Sequence, residues 1–253
     1  MQVPTLGYHN ISAGTQVGLN TVSPSRFKKH ISGLARFGMQ GITTFGSPDE
    51  DSIMITFDDG YEDIFQNAFP VCQNYGFRAI VFQLADYIGI NNDWDINFYK
   101  NNHLHLSKDQ LLKFVEAGWE IGSHGCHHQA YSGLKYSEIY ADMAVSKEKL
   151  ENLIGKEVHS FTAPFNMMVP TIYQIAEELA YKYIFLQKPL STISENKTKV
   201  KIIERRSVYS FDMVKNLIKK IENKSRYEIY KENIIHFCSN ATIGTKKIDL
   251  IIF

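Results

Sequence analysis

Short apolar runs along this chain alternate with segments whose apolar residues recur every three or four positions. That is the pattern of strands and helices taking turns. Ser23 followed by Pro24 has the form of an N-cap and first helical residue. Phe27, Ile31 and Leu34 then share a helical face, and Gly38 follows as a stop. Ile42 to Phe45 and Ile53 to Phe57 read as strands, the second running straight into Asp58-Asp59-Gly60. Ile64 to Tyr75 has helical spacing and ends at Gly76, and Ala79 to Leu84 is a buried-strand run.

Asn91 to His105, polar and aromatic without a period, reads as a loop over one rim. Ser107 to Gln110 has the capping-box pattern, with Leu111, Leu112 and Val115 as the buried face of the helix up to Gly118. Trp119 to Ser123 is the next strand, entering His124. Ile139, Met143, Leu150 and Leu153 mark a helix ending near Gly155. Val158 to Ala163 reads as a strand into Pro164, Tyr173 to Tyr181 as a helix and Tyr183 to Leu186 as extended chain. The pattern weakens after Leu190: Ser191 to Lys201 reads as a loop, Phe211 to Glu222 as a helix and Ile234 to Cys238 as a strand. No repeat or Pro/Gly/Ser-rich linker divides the chain, so residues 1–253 are expected to form a single α/β domain.

Composition narrows this picture only a little. The 253 residues are 44% hydrophobic and 21% charged, ordinary for a globular protein. Twenty-seven basic residues balance 27 acidic ones, so no global field favours nucleic acid or an anionic membrane. The basic run Lys197, Lys199, Lys201, Arg205 and Arg206 is interrupted by acidic neighbours and reads as a solvated segment. No run approaches the roughly 18 apolar residues of a membrane helix. Met1 to Asn10 lacks the features of a secretory signal, and the three cysteines (Cys72, Cys126 and Cys238) match no disulfide framework. The expectation is a cytoplasmic protein.

The candidate chemistry sits where inferred strands end, which is where parallel α/β folds build their sites. Three strands end in capable residues: Asp58-Asp59, His124 with His128, and Thr162-Ala163-Pro164-Phe165. A turn at Gly60 can bring both carboxylates to one mouth. Two imidazoles four apart could face the same way on a helical turn. Two His and one carboxylate suit Zn²⁺ and leave positions open for water and substrate. A second carboxylate could take a proton from the attacking water. An Asp-Asp-Gly turn alone is usually just a turn, and a His pair is often structural. Cys126 is a minor alternative ligand. The joint pattern is far more specific than either part.

That joint pattern resembles the polysaccharide deacetylases of carbohydrate esterase family 4. Thr56-Phe57-Asp58-Asp59-Gly60-Tyr61 is similar to the family's first motif, and His124 to His128, preceded by Glu120-Ile121-Gly122-Ser123, to its second. The resemblance spans most of residues 5–206, including Leu6-Gly7-Tyr8-His9-Asn10-Ile11 and the stretch from Ser146-Lys147 to Gly155-Lys156. It implies a distorted (β/α)₇ barrel, with Asp58 as general base and Asp59, His124 and His128 as ligands of a divalent metal, Zn²⁺ first and Co²⁺ or Ni²⁺ as alternatives.

The chain departs from the family pattern at two places. The third motif, typically Arg-x-Pro followed by Tyr or Phe, reads Thr162-Ala163-Pro164-Phe165, so the arginine that would orient the base is absent. The Phe165 backbone N–H still offers an oxyanion donor. The usual C-terminal Leu-x-His has one echo, Ile234-Ile235-His236. Tyr8-His9-Asn10-Ile11 instead resembles the N-terminal strand of the permuted poly-β-1,6-N-acetylglucosamine deacetylases, which implies His9 as the acid. The implied activity is removal of N-acetyl groups from an amino-sugar glycan or its precursor. The alternatives are an O-acetyl esterase acting on a glycan, or a catalytically weakened glycan-binding homologue for which the missing arginine is the main support.

Overall fold

A computed structural model describes residues 3–13, 19–92, 103–187 and 198–222. The strand expected at Ile234 to Cys238, and with it His236, lies outside these residues. In chain order the elements are β1 (Thr5–Tyr8), β2 (Asn10–Ile11), β3 (Thr21–Val22), α1 (Pro24–Arg36), β4 (Gln40–Ile42) and β5 (Ser52–Phe57). A π-helical turn, Ile64–Ala68, leads into α2 (Phe69–Asn74), followed by β6 (Ile80–Gln83), α3 (Lys108–Glu116), β7 (Glu120–Ser123) and α4 (Tyr136–Ile154). The chain continues through β8 (Ser160–Thr162), α5 (Thr171–Glu178), β9 (Tyr183–Gln187), β10 (Lys201–Ser207) and α6 (Val214–Ile221).

Seven parallel strands close on themselves in the order β1, β5, β6, β7, β8, β9, β10 and back to β1. Closure leaves no exposed edge in the ring. β4 pairs with the first half of β5 outside it. The expected (β/α)₇ barrel is thus the fold observed. Among the described residues no helix is long and apolar enough to cross a membrane.

Period-two alternation sorts each strand into an inward and an outward set. Met54, Ile80, Phe82, Phe185 and Ile203 form one buried cluster. The Phe82 and Phe185 rings lie 5.0 Å apart although β6 and β9 are separated in the sheet by β7 and β8, so this contact spans the lumen. Two residues further along β5 and β10 come Thr56 and Arg205, also buried and in contact with each other. A further two along β5 comes Asp58, at the mouth. The lumen is therefore apolar at its floor and polar at its C-terminal end.

The outward set packs under the helices. Phe27, Ile31 and Leu34 of α1 are fully buried, and Phe27 lies edge-on to Tyr8 of β1 at 5.3 Å. Phe57, Trp119 and Phe114 stack in series at 5.9 and 4.7 Å. Burying each such aromatic side chain contributes about 1.5–3 kcal/mol.

Several elements differ from expectation for identifiable reasons. The strand expected at Ile42 to Phe45 is Gln40–Ile42, because the chain turns at once and Gly46 N–H donates to the Thr43 carbonyl. The buried face of α3 is Leu111 and Phe114, with Leu112 and Val115 only half-buried. The helices expected at Tyr173 to Tyr181 and Phe211 to Glu222 are Thr171–Glu178 and Val214–Ile221. The largest difference is β10, in a stretch read as solvated. Arg205 and Arg206 are buried there, 1% and 6% exposed.

Candidate metal and catalytic site

β5 ends at the barrel mouth, where Asp58 N–H still donates to the Tyr8 carbonyl across the sheet. The next two residues reverse the chain with positive φ, 67° at Asp59 and 69° at Gly60. At Gly60 a side chain would also collide with the Gln83 amide, so glycine is required twice over. Asp59 bears the strain of a non-glycine residue in this region, held there by a clamp from residues 104–106. Leu106 N–H donates to the Gly60 carbonyl at 2.9 Å and Glu62 N–H to the Leu104 carbonyl at 2.8 Å. The His105 imidazole, fully buried and stacked on Tyr61, donates from Nδ1 to the Asp59 carbonyl at 2.9 Å. Leu104 and His105 at the end of the expected rim loop, with Leu106 just after it, therefore brace the first motif.

β7 delivers His124, and a loop rather than the expected helical turn delivers His128. Gly125 at φ 78° and His128 at φ 49° break any helical path. Asp142 of α4 organises this loop, accepting from the Cys126 N–H at 3.2 Å and the Tyr131 hydroxyl at 2.6 Å. A Cβ on Gly125 would sit 2.5 Å from Asp142 Oδ2. Cys126 packs away from the site against the Asp142 carbonyl, and burial pushes its thiol up to about 12. His127 turns outward, 61% exposed, against Asp86 at 3.1 Å. Substituting His127 with Ala is expected to leave both bound-metal content and acetate release at parental levels, as elemental analysis and a rate assay would show.

The structure brings Asp59, His124 and His128 together. One ligand atom from each lies within 4.8 Å of the others. Asp59 Oδ1 is 3.3 Å from His124 Nε2 and 3.2 Å from His128 Nε2, yet is buried without a hydrogen-bond partner among the described residues. An unpartnered buried carboxylate oxygen facing two ring nitrogens suits a cation. His124 Nδ1 donates to the Thr162 carbonyl at 2.8 Å, leaving Nε2 with its lone pair directed at Asp59. Burial would raise the Asp59 pKa, but the His124 and His128 imidazoles at its Oδ1 outweigh it and hold the carboxyl well below its usual range. This donor set fits a divalent metal ion.

Asp58 lies beside this triad in a different environment. Arg205 grips it with both ends of the guanidinium, Nη1 to Oδ1 at 2.6 Å and Nη2 to Oδ2 at 3.0 Å. The same two nitrogens donate to Thr56 Oγ1 at 3.0 Å and Thr162 Oγ1 at 2.9 Å. Burial again raises the Asp58 pKa, but Arg205, then His9 and His124, more than offset it and keep the carboxylate ionised. His9 follows β1 at the same mouth, its Nε2 3.8 Å from Asp58 Oδ2, and is partly open to solvent.

Phe165 occupies a left-handed conformation (φ 57°), as does Asn166 (φ 53°), just after β8. Asn166 fixes this turn, accepting from Gln187 N–H at 2.8 Å and donating to its carbonyl at 3.1 Å. The Phe165 ring lies 4.4 Å from the His128 ring. The turn's internal bonds use the amides of Asn166, Met167 and Met168.

Five of the six candidate side chains thus converge directly, and Phe165 borders them through His128. Sequence reasoning missed Arg205, His105 and Asp142. For Arg205 the signal was the alternation Ile203-x-Arg205, which continues an apolar lumen position into a polar one.

The polysaccharide deacetylase family profile matches residues 45–184, and the chain belongs to that family. It is 28% identical to the Bacillus subtilis protein YxkH, over 72% of this chain and 63% of that protein. It is 24% identical to a Staphylococcus aureus poly-β-1,6-N-acetyl-D-glucosamine N-deacetylase, over 69% of this chain and 63% of the enzyme. The chain thus spans less than two thirds of the length of these curated relatives. In fold it is similar to the Streptococcus pyogenes deacetylase PplD, with a TM-score of 0.73, 17% identity and coverage of 87% of this chain and 98% of that one.

Proposed function

We propose that this protein is a metal-dependent carbohydrate deacetylase that hydrolyses N-acetyl groups on an amino-sugar glycan or glycan precursor. One observation carries the reading. A carboxylate and an imidazole that are not part of the triad, Asp58 and His9, flank Asp59, His124 and His128 at a single barrel mouth, 3.8 Å apart. Hydrolysis of an amide needs a base for water and an acid for the amine in the same place.

Asp59, His124 and His128 would hold the ion, with Zn²⁺ the first choice among metals that accept two imidazoles and a carboxylate. A divalent ion there supplies Lewis acidity toward the acetyl carbonyl and lowers the pKa of water. Asp58 takes a proton from the water as its oxygen attacks the carbonyl carbon. The Phe165 N–H donates to the developing oxyanion. His9 gives a proton to the sugar nitrogen as the C–N bond breaks, releasing a free amine and acetate. The proton on Asp58 then restores His9 through solvent.

The presence of an acid favours amide over ester substrates, because an alkoxide leaves more readily than an amide anion. A catalytically weakened homologue rested on the missing arginine, and Arg205 removes that support. The test is acetate release from β-1,6- and β-1,4-linked N-acetylglucosamine oligomers and from O-acetylated xylan. Release from the N-acetylated oligomers is expected to stop on chelation and return with added Zn²⁺ or Co²⁺. Chelator-insensitive release would overturn the metal assignment, and release only from xylan would make the protein an esterase.

A further inference from the structure

We propose that Asp63 and Asn67 are positioning residues for the acid: together they grip the backbone of Ile11 and so fix where His9 stands relative to Asp58. The proposal rests on the reading of His9 as acid, and goes beyond it by naming the two side chains that hold its segment in place.

His9 lies between β1 and β2, so its position depends on how the chain is held on either side. On the β1 side the barrel does this. Tyr8 pairs with Phe57, its carbonyl accepts from Asp58 N–H at 3.0 Å, and its buried hydroxyl donates to His30 Nδ1 at 3.1 Å. Beyond His9 the chain leaves the barrel for a separate two-stranded sheet, β2 with β3. Two strands alone are marginal in water. That pairing uses one edge of β2, where Ser12 N–H donates to the Val22 carbonyl at 3.1 Å. Successive residues of a strand direct their N–H and C=O groups to opposite edges, so those of Ile11 face away from β3.

Where a third strand would lie, two side chains take its place. Asp63 Oδ1 accepts from Ile11 N–H at 3.2 Å, and Asn67 Nδ2 donates to the Ile11 carbonyl at 2.7 Å. One supplies the acceptor and the other the donor that a neighbouring strand would supply. Both come from the chain just after Asp58 and Asp59, at the start of the π-helical turn and within it. The clamp therefore ties the acid to the base through one short stretch of chain. The placement is unfavourable for Asp63 itself. Its Oδ2 is buried with no hydrogen-bond partner among the described residues, and burial pushes the carboxyl up to about 7. A backbone N–H needs an acceptor oxygen rather than a negative charge, and that oxygen is what the clamp takes from Asp63.

The experiment compares D63A, N67A, D63N, H9A and D63A/H9A as metal-loaded full chains. For each, kcat and KM are measured on an N-acetylglucosamine oligomer and on an activated aryl acetate, together with bound metal and thermal unfolding. D63A is expected to lose about 10²-fold in kcat on the amide, the scale of a 1 Å misplacement. Its KM, its metal content and its rate on the aryl acetate should stay near parental values. N67A should fall in the same direction, and D63N, which keeps the oxygen, should recover most of the loss. Added to H9A, D63A should reduce the amide rate no further, because residues that act through one another are not additive. Crystal structures of D63A and N67A should show His9 Nε2 farther from Asp58 Oδ2 than its present 3.8 Å.

Parental amide rates in D63A and N67A, or an unchanged His9 to Asp58 separation in both, would overturn the clamp. So would a full further loss when D63A is added to H9A, since Asp63 would then act by another route. Should D63A fail to fold, N67A decides alone: a selective loss on the amide supports the clamp and a parental rate overturns it. A parental amide rate in H9A would instead overturn the reading of His9 as acid, and the positioning role with it.

Discussion

Asp59→Asn is expected to abolish both tight divalent-metal binding and acetate release, whereas Asp58→Asn abolishes release and keeps the metal. The two carboxylates are adjacent in sequence, but the left-handed turn at Asp59 sends them to different partners. Asp59 Oδ1 faces His124 and His128 at 3.3 and 3.2 Å and has no other partner among the described residues. An Asn there replaces an anion with a weak neutral donor atom, and a two-imidazole remnant binds Zn²⁺ poorly. Asp58 faces Arg205 and His9 instead. Its oxygens each retain a lone pair beyond the arginine bond, which is what a base needs. Asn at 58 keeps the volume but cannot take a proton, so the rate should fall by about 10²–10⁴-fold, the usual scale for a general base. Elemental analysis and a rate assay on the two variants decide the matter. Metal lost from Asp58→Asn and retained by Asp59→Asn would exchange the roles.

The contrast between these neighbours shows what the sequence made legible. β5 was readable because Ile53 to Phe57 is an apolar, β-branched run ending abruptly in two carboxylates. β7, Glu120-Ile121-Gly122-Ser123, was readable because it follows the stop at Gly118 and enters His124. The residues at their ends, Asp58, Asp59, His124 and His128, therefore fell into one mouth by topology alone. The loop that delivers His128 was not readable as such. An i, i+4 spacing suggests a helical turn, but Gly125 at φ 78° and the Asp142 carboxylate beneath it impose another path. That control comes from α4, a long-range contact with no trace in the local pattern.

β10 was missed for a different reason. A strand lining the polar end of a barrel lumen carries charged residues inward, and Lys201, Glu204, Arg205 and Arg206 together look like a solvated segment. What separates Arg205 from a surface arginine is the carboxylate waiting for it 147 positions earlier in the chain. A buried ion pair is only tolerable when both partners are present and hydrogen-bonded. Removing Arg205 would leave Asp58 as an unpaired buried charge, at a cost on the order of 3–5 kcal/mol. On the proposed reading, function and folding draw on the same pair. The absence of an arginine at 162 was visible in the sequence; its supply from β10 was not.

His9→Ala tests the acid, and with it the permuted arrangement in which the first strand carries catalytic chemistry. β1 is bound into the barrel between β10 and β5, in register Leu6 with Arg206 and Tyr8 with Phe57. This register sets His9 level with Asp58, and their side chains come within 3.8 Å. His9 is partly exposed while Asp58 is buried, so the imidazole lies on the side from which a sugar nitrogen would approach. Removing it takes away the proton that the departing nitrogen needs but none of the metal ligands. Acetate release from an N-acetylated sugar should fall about 10²–10⁴-fold with bound metal unchanged. An activated aryl acetate, whose phenolate leaves without a proton, should be hydrolysed at close to the parental rate by the same variant. Equal losses on both substrates would mean that His9 shapes the site or holds Asp58 rather than donating a proton. Equal activity on the amide would remove His9 from the mechanism altogether.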